Sequence, residues 1–353
     1  MEAFRDVKST SGWFTESGPE YDVVISSRVR LSRNLSGHRY PGTMDSMEEN
    51  VVQDKILKAF SSIDMDGAFQ TPVLETLSPL ERRILMERNI ITQEYSLQTR
   101  KAVVLHENQL ISSLINEIDH LRLSAIHGGL DLRKAFKEVD SLDTKLEDSL
   151  EYAASIDWGY LNTEIENIGT GMRASVMLHL PALVSTSIIK KVFKTGVQIG
   201  LGIKGFFGDN KHSLGNIYQI SNQMTLGYNE AEIINKIESF VLQIVDFERK
   251  AREELMEKKK TEMEDMVFRA YGTLKYCKLL ASKEAIDLLS AIRMGISFGW
   301  IKIPYEAVTA LLFLTQKSHI QQIIRSQETG GDSRHIDYTR AKFVRETIEE
   351  IEQ

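Results

Sequence analysis

The chain has 353 residues, enough for one large domain and a smaller one. Its composition is ordinary for a globular protein, 42% hydrophobic and 26% charged, and a formal net charge of −7 argues against general binding to nucleic acid or an anionic membrane. The N-terminal MEAFRDVKSTSGWF lacks an apolar signal core, no apolar run reaches the ~20 residues of a membrane span, and the single cysteine, Cys277, has no intrachain partner, so a reducing, cytoplasmic setting is expected.

In chain order, the first strong pattern is a strand over residues 22–31. Val24, Ser26, Arg28 and Arg30 alternate there with Ile25, Ser27, Val29 and Leu31, so Arg28 and Arg30 share a face. Two adjacent guanidiniums repel, and the arrangement asks for an anion. A helix is predicted over 51–62, strands over 101–105 and 110–115, helices over 121–126 and 130–150, and a strand over 174–180. A helix over 183–194 and strands over 197–207 and 216–221 follow. Short turns between several strands favour an antiparallel sheet with helices packed on it.

From Asn229 to Leu280 the spacing is helical and proline-free, and further helices are predicted to start near Ser282, Tyr305 and Asp337. SQETGGD (326–332) reads as a glycine-rich loop, the Glu/Lys-rich stretch 248–264 as a solvated helix face, and Cys277 as a small buried residue in a helix. The expected class is α+β: an antiparallel sheet core flanked by helices in residues 1–250 (core 22–228), plus an all-helical domain over 251–353.

Four segments carry the polar chemistry: Ser26-Ser27-Arg28-Val29-Arg30; NEIDHLR, ending in Arg122; NIGTGMRASVM, with Arg173; and KGFFGD, starting at Lys204. Singly each has a bland explanation, because strand arginines are often rim ion pairs and glycine turns are common. Together they suit a polyphosphate. A guanidinium offers a planar fork that grips phosphate and stays charged, and phosphoryl transfer asks mainly for positioning and charge neutralisation.

These segments resemble the signatures of the ATP:guanido phosphotransferases, the phosphagen kinase family. SSRVRLSRN resembles its first arginine signature, INEIDHLR its NEED-type segment, NIGTGMRASVMLHLP its glycine–arginine–strand segment, and KGFFGDNKHSLGNIYQISNQMTLG its flexible-loop region. The HLPALV continuation and the appended helical domain resemble the bacterial protein-arginine kinases. The resemblance implies the sheet-and-helix fold above, ATP as donor with Mg²⁺ brought by the nucleotide rather than by a protein-built metal site, and arginine side chains of proteins as acceptors. It implies that Arg28, Arg30, Arg122 and Arg173 face the phosphates. Ser26, Ser27, Val29, Asn89, Ala174, Ser175, Val176, Met177, Lys204, Gly205, Phe206, Phe207, Gly208 and Asp209 would complete the nucleotide site. Lys204 stands where relatives carry an arginine, and Asn89 where they carry a histidine. Implied partners are a zinc-binding activator protein, a protein-unfoldase system and a second copy of the chain.

The acceptor side departs from that pattern. Ile118 occupies the second acidic position of the NEED-type segment, Glu164 replaces the family's cysteine, and His212 replaces a loop carboxylate. Glu117, Glu164 and Asp119 are the carboxylates expected to hold the guanidinium, with Glu166 near. The alternative is a catalytically degenerate pseudokinase acting as a nucleotide-binding or regulatory module. In the segment IDYTRA, Asp337 and Arg340 match a phosphoarginine sensor, but Ile336 replaces its first arginine, so an ordinary surface helix is expected.

Overall fold

A computed structural model describes residues 12–209, 212–326 and 332–352. Among these, eight strands form one sheet, and every neighbouring pair is antiparallel. Its order is β2 (Phe69–Gln70), β3 (Val103–His106), β4 (Ile111–Ile115), β5 (Leu121–Gly128), β1 (Val24–Arg33), β8 (Met172–His179), β12 (Ile217–Asn222) and β9 (Leu201–Gly205). The arginine strand is therefore central, clamped by β5 and β8.

One face of the sheet packs under α1 (Ser46–Ser61), α4 (Leu132–Glu147) and α7 (Glu230–Lys258), with Val29, Leu31, Leu123, Ala174 and Val176 in that core. The register between β1 and β8 shifts between Val24 and Ser26. As a result Val24 joins Val29 and Leu31, whereas Ile25 packs on the opposite side with Ile126 and Met177. Simple alternation had assigned those two residues the other way round; a bulge inverts the faces beyond it.

Residues 121–126, expected as helix, are strand β5. Leu121, Leu123 and Ala125 enter the helix-covered core, while Ile126 lies on the other side. The period of two is present, but in six residues rich in Leu and Ala it competes with helix propensity, and pairing on both edges decides the outcome. The expected strand at 197–207 begins only at Leu201, because α6 (Ile189–Gln198) runs on and turns at Gly200 with φ +78°.

The helical part contains α8 (Lys260–Tyr276), α9 (Ser282–Ser297), α10 (Tyr305–Leu314), α11 (Lys317–Ser326) and α12 (Ser333–Glu352). α7 passes unbroken through position 250, with Ala251 and Leu255 still in the sheet core, and the chain breaks at Lys259. Glu248, expected on a solvated face, is fully buried. It accepts the backbone N–H groups of Ala182 and Leu183 (3.1 and 2.9 Å) at the start of α5 (Pro181–Ser185) and pairs with Arg252 at 3.0 Å. Such partners are what allow a carboxylate to be buried. Cys277 caps α8 in an extended conformation, half-buried. The centre of the expected SQETGGD loop, residues 327–331, lies outside the described residues.

The start of α12 is a surface helix with one buried face, Tyr338 standing 45% exposed while Ile336 and Arg340 are buried. Arg340 is buried and donates to the carbonyls of Thr315 (2.7 Å) and Leu280 (2.6 Å) and to Asp337 (2.6 Å). Ile336 packs with Ile320 and Ile324.

Candidate active site

The face of the sheet away from α1, α4 and α7 carries the arginines. Arg28 lies opposite Ile126 of β5 and Ser175 of β8, Arg30 opposite Ser124 and Arg173, and Lys204 of β9 opposite Gln219. Arg122 is two residues from Ser124 on the same face. Together Arg28, Arg30, Arg122, Arg173 and Lys204 line a cleft of about 240 Å³, closed on one side by residues 89–92.

The electrostatics of this cleft are unfavourable by themselves. Burial, reinforced by Arg122 and Arg173, brings the Arg28 guanidinium down to about 10. Burial and the repulsion of Arg28, Arg122 and Arg173 push Arg30 well below its ordinary value, and Lys204 falls for the same two reasons. Arg30 Nε is buried with no hydrogen-bond partner. Arg28 donates to the Asn89 carbonyl at 2.9 Å, from a backbone held at φ +60°, and Arg173 reaches Ser221 Oγ at 3.4 Å. The carboxylate in contact with these cations is Glu117, ion-paired with Arg122. Among the described residues, five cations against one carboxylate make a site shaped for an anion.

A second cavity of about 300 Å³ adjoins the first, sharing Asn89, Lys204 and Gln219 with it. Gly205, Phe206 and Phe207 line it, along with Gln316 beyond the end of α10, and both phenylalanines pack against Phe313. Gly208–Asp209 (β10) pairs with His212–Ser213 (β11), and the side chains of Asp209 and His212 lie outside the described residues.

Four other expected nucleotide residues, Ser27, Val29, Ala174 and Val176, lie on the opposite face of the sheet from the arginines. Ser27 donates to the Gly129 carbonyl (2.8 Å) and accepts from the Asp131 amide (3.0 Å), fastening the turn into α4. Val29, Ala174 and Val176 are core residues on the helix-covered face. Ser26, Ser175 and Met177 are buried, Met177 within the apolar cluster shared with the helical part. Sequence reasoning missed Thr92, Ser124, Gln219 and Ser221 in the cleft lining. Ser124 was legible in principle, standing two residues from Arg122, had 121–126 been read as a strand.

The carboxylates expected to hold the acceptor come from two loops that touch. Asp119 is buried and accepts from Asn34 Nδ2 (2.7 Å), the Thr163 amide (2.8 Å) and Asn162 Nδ2 (3.2 Å), and Thr163 Oγ1 donates to the Ile118 carbonyl at 2.8 Å. Both Asp119 oxygens are thus occupied by the protein's own donors. Glu117 sits at the cleft edge, where burial pushes its carboxyl up against the opposing pull of Arg122, and Thr92 Oγ1 donates to it at 3.3 Å. Glu164 is exposed at the start of a one-turn helix, Ile165–Asn167, within a loop closed by the Tyr160–Gly169 backbone pair.

A family profile described as the ATP:guanido phosphotransferase C-terminal catalytic domain matches residues 51–251. The chain belongs to the ATP:guanido phosphotransferases. This confirms the kinship read from the four segments, and it makes the chain a phosphotransferase of the kinase class. A second profile, the C-terminal domain of protein-arginine kinase McsB, matches residues 260–353. A protein-arginine kinase of Bacillus licheniformis is 38% identical over 343 residues, spanning 96% of this chain and 93% of its own. One from Bacillus cereus is 37% identical over 344 residues, spanning 97% and 96%. Among solved structures, a lombricine kinase superposes with a TM-score of 0.59 at 22% identity over 69% of this chain and 70% of its own. A duplicated taurocyamine kinase from Schistosoma mansoni gives 0.59 at 22% identity over 80% and 41%. Those two bear on the fold, and the expected antiparallel sheet flanked by helices, with a helical C-terminal part, stands. Among the described residues, no helix is long and apolar enough to cross a membrane.

Proposed function

We propose that this phosphotransferase moves the γ-phosphoryl group of MgATP to arginine side chains of proteins. The observation that carries the reading is Arg30, a half-buried guanidinium whose buried Nε has no hydrogen-bond partner, set among Arg28, Arg122, Arg173 and Lys204. A nucleotide's phosphates supply the missing anion, and magnesium belongs to that substrate. The acceptor reading is supported by kinship to protein-arginine kinases of Bacillus and by carboxylates on two adjoining loops.

In this reading the acceptor guanidinium nitrogen bonds to the γ-phosphorus as the β–γ bridging oxygen bond breaks, and a guanidinium proton goes to a carboxylate. Glu117 suits that task because burial raises its affinity for a proton. Its ion pair with Arg122 is the resting arrangement, since phosphate drawn to Arg122 competes for the same guanidinium. Glu164 takes the place of the family's thiolate as an anion able to hold a guanidinium by its two oxygens. Asp119 is a positioning residue that ties the two loops together.

The test is incubation of the full chain with γ-labelled MgATP and an unfolded arginine-rich protein, reading base-stable, acid-labile label on arginine. Label is expected, and Glu164→Gln should reduce it by roughly 10- to 100-fold, the scale of one lost charge-assisted contact. No label from a preparation that still binds MgATP would replace this reading with a nucleotide-binding regulatory module.

A further inference from the structure

Four large apolar side chains stand in solvent around the acceptor loops: Ile118 is 40% exposed, Ile156 fully exposed, Trp158 55% and Ile165 74%. Isolated exposed apolar residues are unremarkable in a folded protein, but a cluster on one rim is a contact surface. The cluster follows from the backbone. Ile156 and Trp158 form the tip of the hairpin between β6 (Ala154–Ser155) and β7 (Gly159–Tyr160). Tyr160 then pairs through both backbone bonds with Gly169 (2.8 and 3.2 Å), which seats the hairpin against the loop holding Glu164 and Ile165. Thr163 of that loop bonds the Ile118 carbonyl and Asp119. Each candidate acceptor carboxylate, Glu117 and Glu164, is followed in sequence by one of the exposed isoleucines.

Charge identifies the occupant. Between residues 147 and 172 the chain holds six carboxylates and no lysine or arginine, the reverse of the neighbouring cleft. An anionic membrane or a nucleic acid is repelled by such a rim; a cationic partner is attracted. We infer that this rim docks an extended polypeptide segment whose arginine is flanked by large apolar residues. The inference rests on Glu117 and Glu164 as the acceptor carboxylates and adds the flanking-residue preference. It also gives Ile118 a role: where relatives carry an acid, this chain offers an apolar contact to the residues beside the arginine.

The test compares two fluorescein-labelled peptides of equal length and net charge, with one central arginine flanked by Leu and Phe or by Gly and Ser. Binding to the full chain is followed by anisotropy, and thermal stabilisation by MgATP confirms that each variant is folded. The apolar-flanked peptide should bind about 10-fold tighter or better, and the ratio should collapse toward one in the Ile156→Ser/Trp158→Ser double variant. Replacing the arginine of that peptide by glutamine should weaken it further. Equal affinity for the two peptides overturns the inference, as does a ratio that survives in the double variant. Self-association dispersed by the double variant in sedimentation also overturns it, the occupant then being a second copy. Because the readout is binding, it is independent of whether label reaches arginine, so its failure and that of the transfer reading are told apart.

Discussion

At the scale of single residues, the site is a charge imbalance held in place by neighbours. Arg28 and Arg30 were legible because strand spacing puts both guanidiniums on one face, where their repulsion asks for an anion. Asp119 was picked out too, but not its structural engagement: its three donors come from residues 34, 162 and 163, which only the fold brings together. The same limit hid the commitment of Arg340 to the carbonyls of Leu280 and Thr315. Arg30 also makes the cost of the empty cleft measurable. Replacing a half-buried cation crowded by three like charges with an apolar side chain of similar length removes a desolvation and repulsion penalty. Arg30→Met is therefore expected to raise the unfolding free energy of the nucleotide-free protein by about 1 kcal/mol or more, while weakening MgATP binding at least ~10-fold. Chemical denaturation and nucleotide titration of the same preparation check both signs; a variant both less stable and equally avid would count against the anion site.

At the scale of elements, β5 shows what the sequence withheld and why. Its alternation was present, yet a six-residue window of Leu, Arg, Ser and Ala could not tell strand from helix without the partners β4 and β1. The bulge at the start of β1 was equally silent, because only the mismatch with β8 exposes it. β5 carries its own pH sensor for stability. Burial disfavours a charged His127, but hydrogen bonds to Glu138 of α4 (2.8 Å) and Glu16 (3.3 Å) outweigh it and raise the imidazole to about 9. A group with a raised folded pKa contributes fully below its unfolded value, here 6.5, and loses that contribution as pH climbs through about 9. The protein is expected to be more stable at pH 6 than at pH 9.5. Unfolding midpoints across that window should flatten in His127→Gln; an unchanged slope would remove the assignment.

At the scale of the whole molecule, sheet and helical part share one apolar core. Ile25, Ile126, Met177 and Ile217 of the sheet cluster with Leu289, Leu312 and Val344 of the helices. Glu87, ending α2 (Pro79–Glu87), accepts the backbone N–H groups of Ser318 and His319 (2.8 and 3.2 Å) and the His319 imidazole at 2.8 Å. The boundary expected near 250 falls inside α7, which ends at Lys258, and the two parts on either side of it share the apolar cluster just described. A fragment ending at Lys258 should accordingly be aggregation-prone and bind an apolar dye, whereas independent folding with a cooperative melt would show the two parts to be separable. The acid-only stretch from 147 to 172 has a consequence for turnover in the proposed reaction. An arginine arrives there as a cation and departs bearing a phosphoryl group, its charge reversed. In that reaction the lip that draws the acceptor in repels the product, so the same carboxylates favour both arrival and release.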